Sequence, residues 1–357
     1  MTTDRRDVVV VGGGQAGLAA GYLLAEQGCD CTILDAGDAP ASAWRERWDS
    51  LRLFTPVRYD SLPGRAFPGH PDAYPGRDDV VDYLTDYARD FDLPVERNSA
   101  VRAVRPVDGG YLVELDDRTY DAGQVLIATG PFQRPRTPEV AERLDQETVQ
   151  FHSSRYRSPQ DVPAGPVLVV GGGNTGFQIA EELSHTNEVH LSIGSRQTPL
   201  PQRILGRDLF RYLDAVGLMG KTATSRIGRR MQDREPLIGS SPRAARRRHG
   251  IRLRGRAVDA SGFAVSFNDG SRLTPAAVIW ATGFGLDHSF VQAPVFDDRG
   301  RLVHQRGVTA APGLYFLGLP WQHTRGSALL GWVEDDAQHV VQHIAASQRA
   351  KRPQVPA

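Results

Sequence analysis

Asp7-Val8-Val9-Val10-Val11-Gly12-Gly13-Gly14-Gln15-Ala16-Gly17 is the stretch that decides the fold. Four valines run into a G-x-G-x-x-G turn, and Leu18–Gln27 then reads as an Ala- and Leu-rich helix ending at Gly28, a good residue for a helix C-terminus. Cys31–Leu34 reads as the next strand, with Asp35 at its end. Strand, Gly-rich turn, helix and strand together form the βαβ unit that binds a dinucleotide. Glycines let the backbone approach a pyrophosphate, and the helix N-terminus offers free N–H groups and a partial positive charge. Gly12, Gly14, Gln15, Ala16 and Gly17 are therefore expected to hold one nucleotide, with Asp35 accepting a hydrogen bond from its ribose.

The design recurs. Val167–Val170 enters Gly171-Gly172-Gly173-Asn174-Thr175-Gly176, followed by a helix over Phe177–Ser184 and a strand over Val189–Ile193. Gly171, Gly173, Asn174, Thr175 and Gly176 are the second set of candidate nucleotide contacts. The strand end differs here: Gly194-Ser195-Arg196 carries no carboxylate. An acid there would repel a 2′-phosphate, whereas an arginine pairs with it. One charge-assisted hydrogen bond contributes about 1.5–3 kcal/mol, so Ser195 and Arg196 predict NADPH, with NADH as the alternative. The carboxylate at Asp35 fits FAD at the first site.

A third recurrence supports the pairing. Gln124–Ile127 ends in Ala128-Thr129-Gly130, and Ala277–Trp280 ends in Ala281-Thr282-Gly283. Gly130, Thr282 and Gly283 are expected beside the nucleotides. Short alternating strands are read at Ala100–Arg105, Tyr111–Leu115 and Gly262–Phe267, and a final helix at Ser327–Ala346. The predicted fold is α/β with two Rossmann-like domains. An FAD domain (1–160 and 276–357) is interrupted by an inserted NAD(P)H domain (161–275), joined through the Pro- and Gly-containing segment Ser158–Pro166.

Composition bounds the rest. The 357 residues suffice for two domains, and 42 acidic against 42 basic side chains give no electrostatic footprint for nucleic acid. Nearly all the basic residues are arginine, and the very basic run Arg243–His249 is read as a solvated helix face. No uninterrupted apolar stretch is long enough to cross a membrane. Cys29 and Cys31 are the only cysteines and form no C-x-x-C, so neither a disulfide framework nor a metal site is expected, and a reducing cytoplasm fits. Two dinucleotide sites imply hydride transfer from NAD(P)H to FAD. With no redox pair of cysteines, the electrons are expected to pass to oxygen or a small oxidant.

At Phe151-His152-Ser153-Ser154-Arg155-Tyr156 the chain resembles the flavin-containing monooxygenases, class B flavoprotein monooxygenases. The segment is similar to the end of their fingerprint F-x-G-x-x-x-H-x-x-x-Y/W, with His152 and Tyr156 at the right spacing and Gln146 and Thr148 at the Phe and Gly positions. Trp44-Arg45, Trp48–Leu53, Tyr74-Pro75, Leu200-Pro201, Ala281–Phe284 and Gly318–Trp321 resemble blocks of the bacterial YUCCA-like, cation-efflux-associated branch. The resemblance implies reduction of FAD by NADPH and addition of oxygen at flavin C4a as a hydroperoxide. A small N- or S-containing substrate, or a ketone, then takes the distal oxygen. It further implies flavin contacts at Trp44, Arg45 and Thr55. Many members place an Asn where Pro56 stands here, so Asn174 is the alternative flavin-facing amide. His152 is read as a structural support, and His323, beside Gln322 and Thr324, as a substrate-side group. Asn174 and His323 are thus the catalytic candidates. The competing readings are an NAD(P)H oxidase or diaphorase and a non-catalytic accessory of transport. The oligomeric state is open, with a homodimer as one option.

Overall fold

The computed structural model describes residues 2–232 and 236–351. Residues 1 and 352–357 of the expected first domain, and 233–235 of the expected second, lie outside the described residues. Val8–Val11 are at most 5 % exposed, as a parallel strand covered on both faces requires. They end strand β1 (Thr2–Val11), which opens into helix α1 (Gln15–Glu26) and returns as β2 (Cys31–Leu34). β1 lies parallel to β2, with Val8 opposite Cys31 and Val11 opposite Leu34. On its other side it pairs with the strand Arg118–Ile127, also parallel.

Among the described residues the first sheet has nine strands. From one edge the order is His304–Gln305, Val308–Thr309, Leu314–Phe316, Arg118–Ile127, β1, β2 and Val95–Glu96; the antiparallel strands Ala103–Val107 and Gly110–Glu114 join Arg118–Ile127 off that line. Val8 and Val10 face a core built from α1, the helix Arg77–Asp90 and the C-terminal helix Val333–Lys351. Val9 and Val11 face the opposite core, with the hairpin and residues 291–319. This is the alternation of a strand expressed on two apolar faces.

The second sheet is all parallel, in the order Arg252–Arg254, Glu188–Ser192, Pro166–Val170, Ala277–Trp280, Val149–His152. Its strands lie in sequence between the two parts of the first, so the second sheet is inserted into the first. Its reach is wider than 161–275. Val149–His152 and Ala277–Trp280 belong to it by backbone pairing, and Ala277–Trp280 has no exposed surface. The segment Ser158–Pro166 is pinned rather than loose. The Arg157 and Ser158 N–H groups both donate to Asp161 Oδ2, and Asn187 donates to the Pro163 carbonyl.

Both Gly-turn helices start three residues before the positions expected, at Gln15 and at Asn174 (α2, Asn174–Leu183). Gly14 and Gly173 are extended N-caps, so the last residues of each Gly motif already form the first helical turn. Gly28 takes φ +66° just after α1, as a helix stop requires. The C-terminal helix begins at Val333, not Ser327; Arg325–Ala328 is a separate 3-10 turn capped by Thr324. Gly331 lies in the break, where a Cβ would stand 2.0 Å from the Tyr59 carbonyl oxygen. Arg243 and Arg246–Arg248 are exposed on the helix Pro242–His249. Neither cysteine is in a disulfide, and no described helix is long and apolar enough to cross a membrane.

Candidate nucleotide sites and their junction

The two Gly-rich turns share one geometry. Gly12 has φ +112°, and a Cβ there would stand 2.5 Å from the Ala128 carbonyl oxygen; a Cβ on Gly17 would stand 1.9 Å from that of Gly12. Gly171 has φ +135° with the Ala281 oxygen 2.1 Å away, and Gly176 faces the Gly171 oxygen at 2.0 Å. The first glycine therefore closes each turn against its own Ala-Thr-Gly segment, and the third closes it against the carbonyl of the first. The middle ones differ: nothing lies within 4 Å of a Cβ built on Gly14 or Gly173.

Neither α1 nor α2 has a side-chain cap or an acid in its first turn. Helices normally satisfy those N–H groups by capping. Left bare beside side-chain-free space, they suit a phosphate. The residues present thus fit a dinucleotide at each turn. Gly130 and Gly283 take φ +71° and +80°, also with open space beside them.

Asp35 ends β2 as expected. Its Oδ2 accepts from the Gly13 N–H at 2.7 Å and its Oδ1 from the Gly37 N–H at 2.8 Å. The carboxylate is held in place at the rim of the first turn. Gln15 opens α1 and accepts from Trp44 Nε1–H at 3.0 Å; Ala16 packs against Gly318. At the second turn Ser195 and Arg196 are exposed, and Thr175 is half-buried. Arg256, which sequence reasoning passed over, donates to the Gly194 carbonyl at 2.8 Å. Two guanidiniums therefore flank the strand end that lacks a carboxylate.

The remaining candidates make contacts of their own within the protein. Asn174 spends both ends of its amide on backbone, donating to the Pro236 carbonyl at 3.2 Å and accepting from the Ile238 N–H at 2.9 Å. Arg45 is exposed and donates to the Pro40 carbonyl. Thr55 is buried and donates to Asp60 Oδ1 at 2.6 Å. Pro56 begins a 3-10 turn over Val57–Tyr59 and has no side-chain donor. Thr282 donates to the Arg136 carbonyl.

His152 Nδ1 accepts from the Ser154 N–H at 3.1 Å, which leaves Nε2–H to donate to the Gly283 carbonyl at 3.0 Å. Burial holds its pKa below the usual histidine value. A neutral imidazole thus ties the strand Val149–His152 to the second Ala-Thr-Gly. Tyr156 is fully buried and donates to Glu182 Oε2 at 2.7 Å.

His323 lines a cavity of about 800 Å³ together with His304, His339, His343 and Gln322. Its backbone N–H donates to Ser327 Oγ. Gln322 is 5 % exposed, and its Nε2 has no partner among the described residues. Most of its lining side chains are polar, with Ala223, Val303, Val308 and Ala310 as the apolar part, so it offers hydrogen bonds to a small polar molecule. A second, smaller cavity of about 300 Å³ runs between Leu53, Phe54 and Tyr74 of the first unit and Asn174, Glu181 and Ile238 of the second.

The sequence profile of the pyridine nucleotide-disulphide oxidoreductases matches residues 9–202. An uncharacterized CzcO-like oxidoreductase of Geobacillus kaustophilus is 42 % identical over 340 residues, covering 95 % of this chain and 98 % of its own. A flavin-containing monooxygenase from Stenotrophomonas maltophilia, solved as a structure, is 31 % identical with a TM-score of 0.80, over 96 % of this chain and 99 % of that one. The probable indole-3-pyruvate monooxygenase YUCCA9 of Arabidopsis thaliana is 31 % identical over 213 residues, covering 57 % of this chain and 50 % of that one. With two intact nucleotide cradles, the chain belongs to the pyridine nucleotide-disulphide oxidoreductase family, as an oxidoreductase of the flavin-monooxygenase type for which FAD and NADPH are the implied cofactors.

Proposed function

We propose that the chain is an NADPH-dependent, FAD-containing monooxygenase that oxygenates a small N- or S-containing compound or a ketone. The observation that carries this reading is the pair of uncapped helix N-termini, each facing a glycine with empty space beside it. Gly12–Gly17 would hold FAD, with Asp35 for its ribose, and Gly171–Gly176 would hold NADPH, with Ser195, Arg196 and Arg256 for its 2′-phosphate. FAD supplies hydride acceptance and oxygen activation when bound. The protein's part is orientation and exclusion of water. His152 holds the Gly283 end of the second site, and Gln322 and His323 offer hydrogen bonds to a substrate in the His-lined cavity. The two unbridged cysteines fit a reducing compartment such as the cytoplasm.

The test is NADPH oxidation across a panel of amines, sulfides and ketones, with peroxide release and oxygenated product measured together. A substrate should suppress peroxide as its product accumulates. Stoichiometric peroxide with every compound would favour an NAD(P)H oxidase. Nucleotide choice is tested separately. Arg196→Gln should raise the KM for NADPH by about 10- to 100-fold and leave that for NADH unchanged. Equal KM values for the two nucleotides in the unmodified enzyme would sink the NADPH assignment.

A further inference from the structure

A short helix, Ser42–Arg45, follows β2 in the first unit. Trp44 Nε1–H donates to Gln15, which fixes this helix over the N-terminus of α1. Just past it, Arg47 places its guanidinium carbon 4.5 Å from the centre of the Phe132 ring and 5.5 Å from that of Phe284. The two rings meet edge to face, 5.2 Å apart. Phe132 lies two residues after Gly130, and Phe284 directly follows Gly283. Ala128 closes against Gly12 and Ala281 against Gly171. Arg47 therefore stands where the backbone walls of the two turns converge.

Among the described residues, no carboxylate comes within 4.0 Å of this guanidinium, and none of its N–H groups donates to a protein acceptor. Arg77, Arg118 and Arg306, also half-buried, each hold a carboxylate. The phenyl faces attract the positive charge but leave its planar donors unsatisfied. Burial pulls the Arg47 pKa below the usual arginine value; the neighbouring Glu46 carboxylate opposes this, and Arg157 adds to the lowering. Arg157 itself donates to the Ser154 and Tyr156 carbonyls. His152 ends a strand of the second sheet, Arg157 lies between two of its strands, and Phe284 packs on His152 at 4.8 Å. Arg47 and Arg157 thus bring two guanidiniums together on the side of the second turn, with Glu46 the carboxylate that acts on Arg47.

We propose that Arg47 binds the pyrophosphate of the pyridine nucleotide held at the second turn, reaching it from the first unit, so that the nucleotide ties the two units together. This rests on the reading of Gly171–Gly176 as the NADPH site. The test is calorimetric titration of the FAD-loaded protein with NADP⁺ and with adenosine 2′-monophosphate, which lacks the pyrophosphate. Arg47→Gln should weaken NADP⁺ by about 10- to 100-fold, with adenosine 2′-monophosphate affinity and FAD content unchanged. Arg47→Lys should recover part of the loss. Equal NADP⁺ affinity in wild type and Arg47→Gln overturns the proposal. Parallel weakening of adenosine 2′-monophosphate also overturns it, because that marks a general loss of the site. So does release of FAD with NADP⁺ affinity kept, which moves Arg47 to the other pyrophosphate. A wild-type protein that binds neither probe overturns the nucleotide reading as well.

Discussion

Asp60 has no exposed surface, and only one of its carboxyl oxygens is partnered among the described residues: Oδ1 accepts from Thr55, while Oδ2 has no partner. Burial pushes its pKa up to about 7; the Thr55 hydrogen bond opposes this and Asp208 adds to it. The folded chain therefore holds a proton here that the unfolded chain releases near the ordinary 3.8. Between those two values the native state binds more protons, so stability falls as pH rises. The contribution is complete below the unfolded pKa and is lost as pH passes through about 7. Asp60→Asn keeps an acceptor for Thr55 and never ionises. Thermal melting of wild type should weaken between about pH 5 and about pH 7.5 more than that of Asp60→Asn; parallel profiles would show that Asp60 is not the protonated group. Residues of this kind were not legible in the sequence. Thr55 reads there as a flavin contact, and its partner becomes visible only once an irregular loop is folded. Arg47 was hidden for another reason: in a chain whose basic residues are nearly all arginine, no single one stands out.

The strand–turn–helix units were legible because their pattern is local. Apolar run, glycines and helix follow one another within about 20 residues. Helix starts were missed by three residues, since the Gly motif counts as turn in sequence and as first helical turn in structure. Membership of Val149–His152 in the second sheet was not legible, because parallel partners come from distant parts of the chain. The glycines themselves separate two roles that the motif merges. Gly17→Ala drives a Cβ into the Gly12 carbonyl and should cost about 1–3 kcal/mol of stability. Gly14 and Gly173 have negative φ and free space, so alanine fits their backbone. Gly173→Ala should melt close to the wild-type temperature, because the gain of about 0.4–1 kcal/mol through the unfolded state is offset by alanine's poorer N-cap, yet bind NADP⁺ more weakly. Melting and nucleotide titration on the same samples check both halves. A Gly173→Ala protein with wild-type NADP⁺ affinity would remove the pyrophosphate from that glycine.

At the scale of the whole molecule the question is where electrons leave. The family includes disulfide chemistry by name, and this chain has two cysteines close in sequence. Their position argues against that exit. Cys31 pairs with Val8, whereas the turn begins after Val11, so Cys31 lies three residue steps, roughly 10 Å, back along the sheet. Burial, with Asp30 and Cys29 adding, pushes its thiol up to about 11. A thiol held neutral and buried is a poor nucleophile and a poor electron acceptor at physiological pH. The cavity beside His323, by contrast, carries the Gln322 Nε2, which has no hydrogen-bond partner among the described residues. Replacing Cys29 and Cys31 together by alanine should therefore leave NADPH-driven oxygen consumption within about twofold of wild type at equal FAD content. Gln322→Leu should lower the yield of oxygenated product per NADPH and raise peroxide. If the double cysteine variant instead kept its FAD and stopped turning over, the electrons would pass through sulfur, and the monooxygenase reading would fall with it.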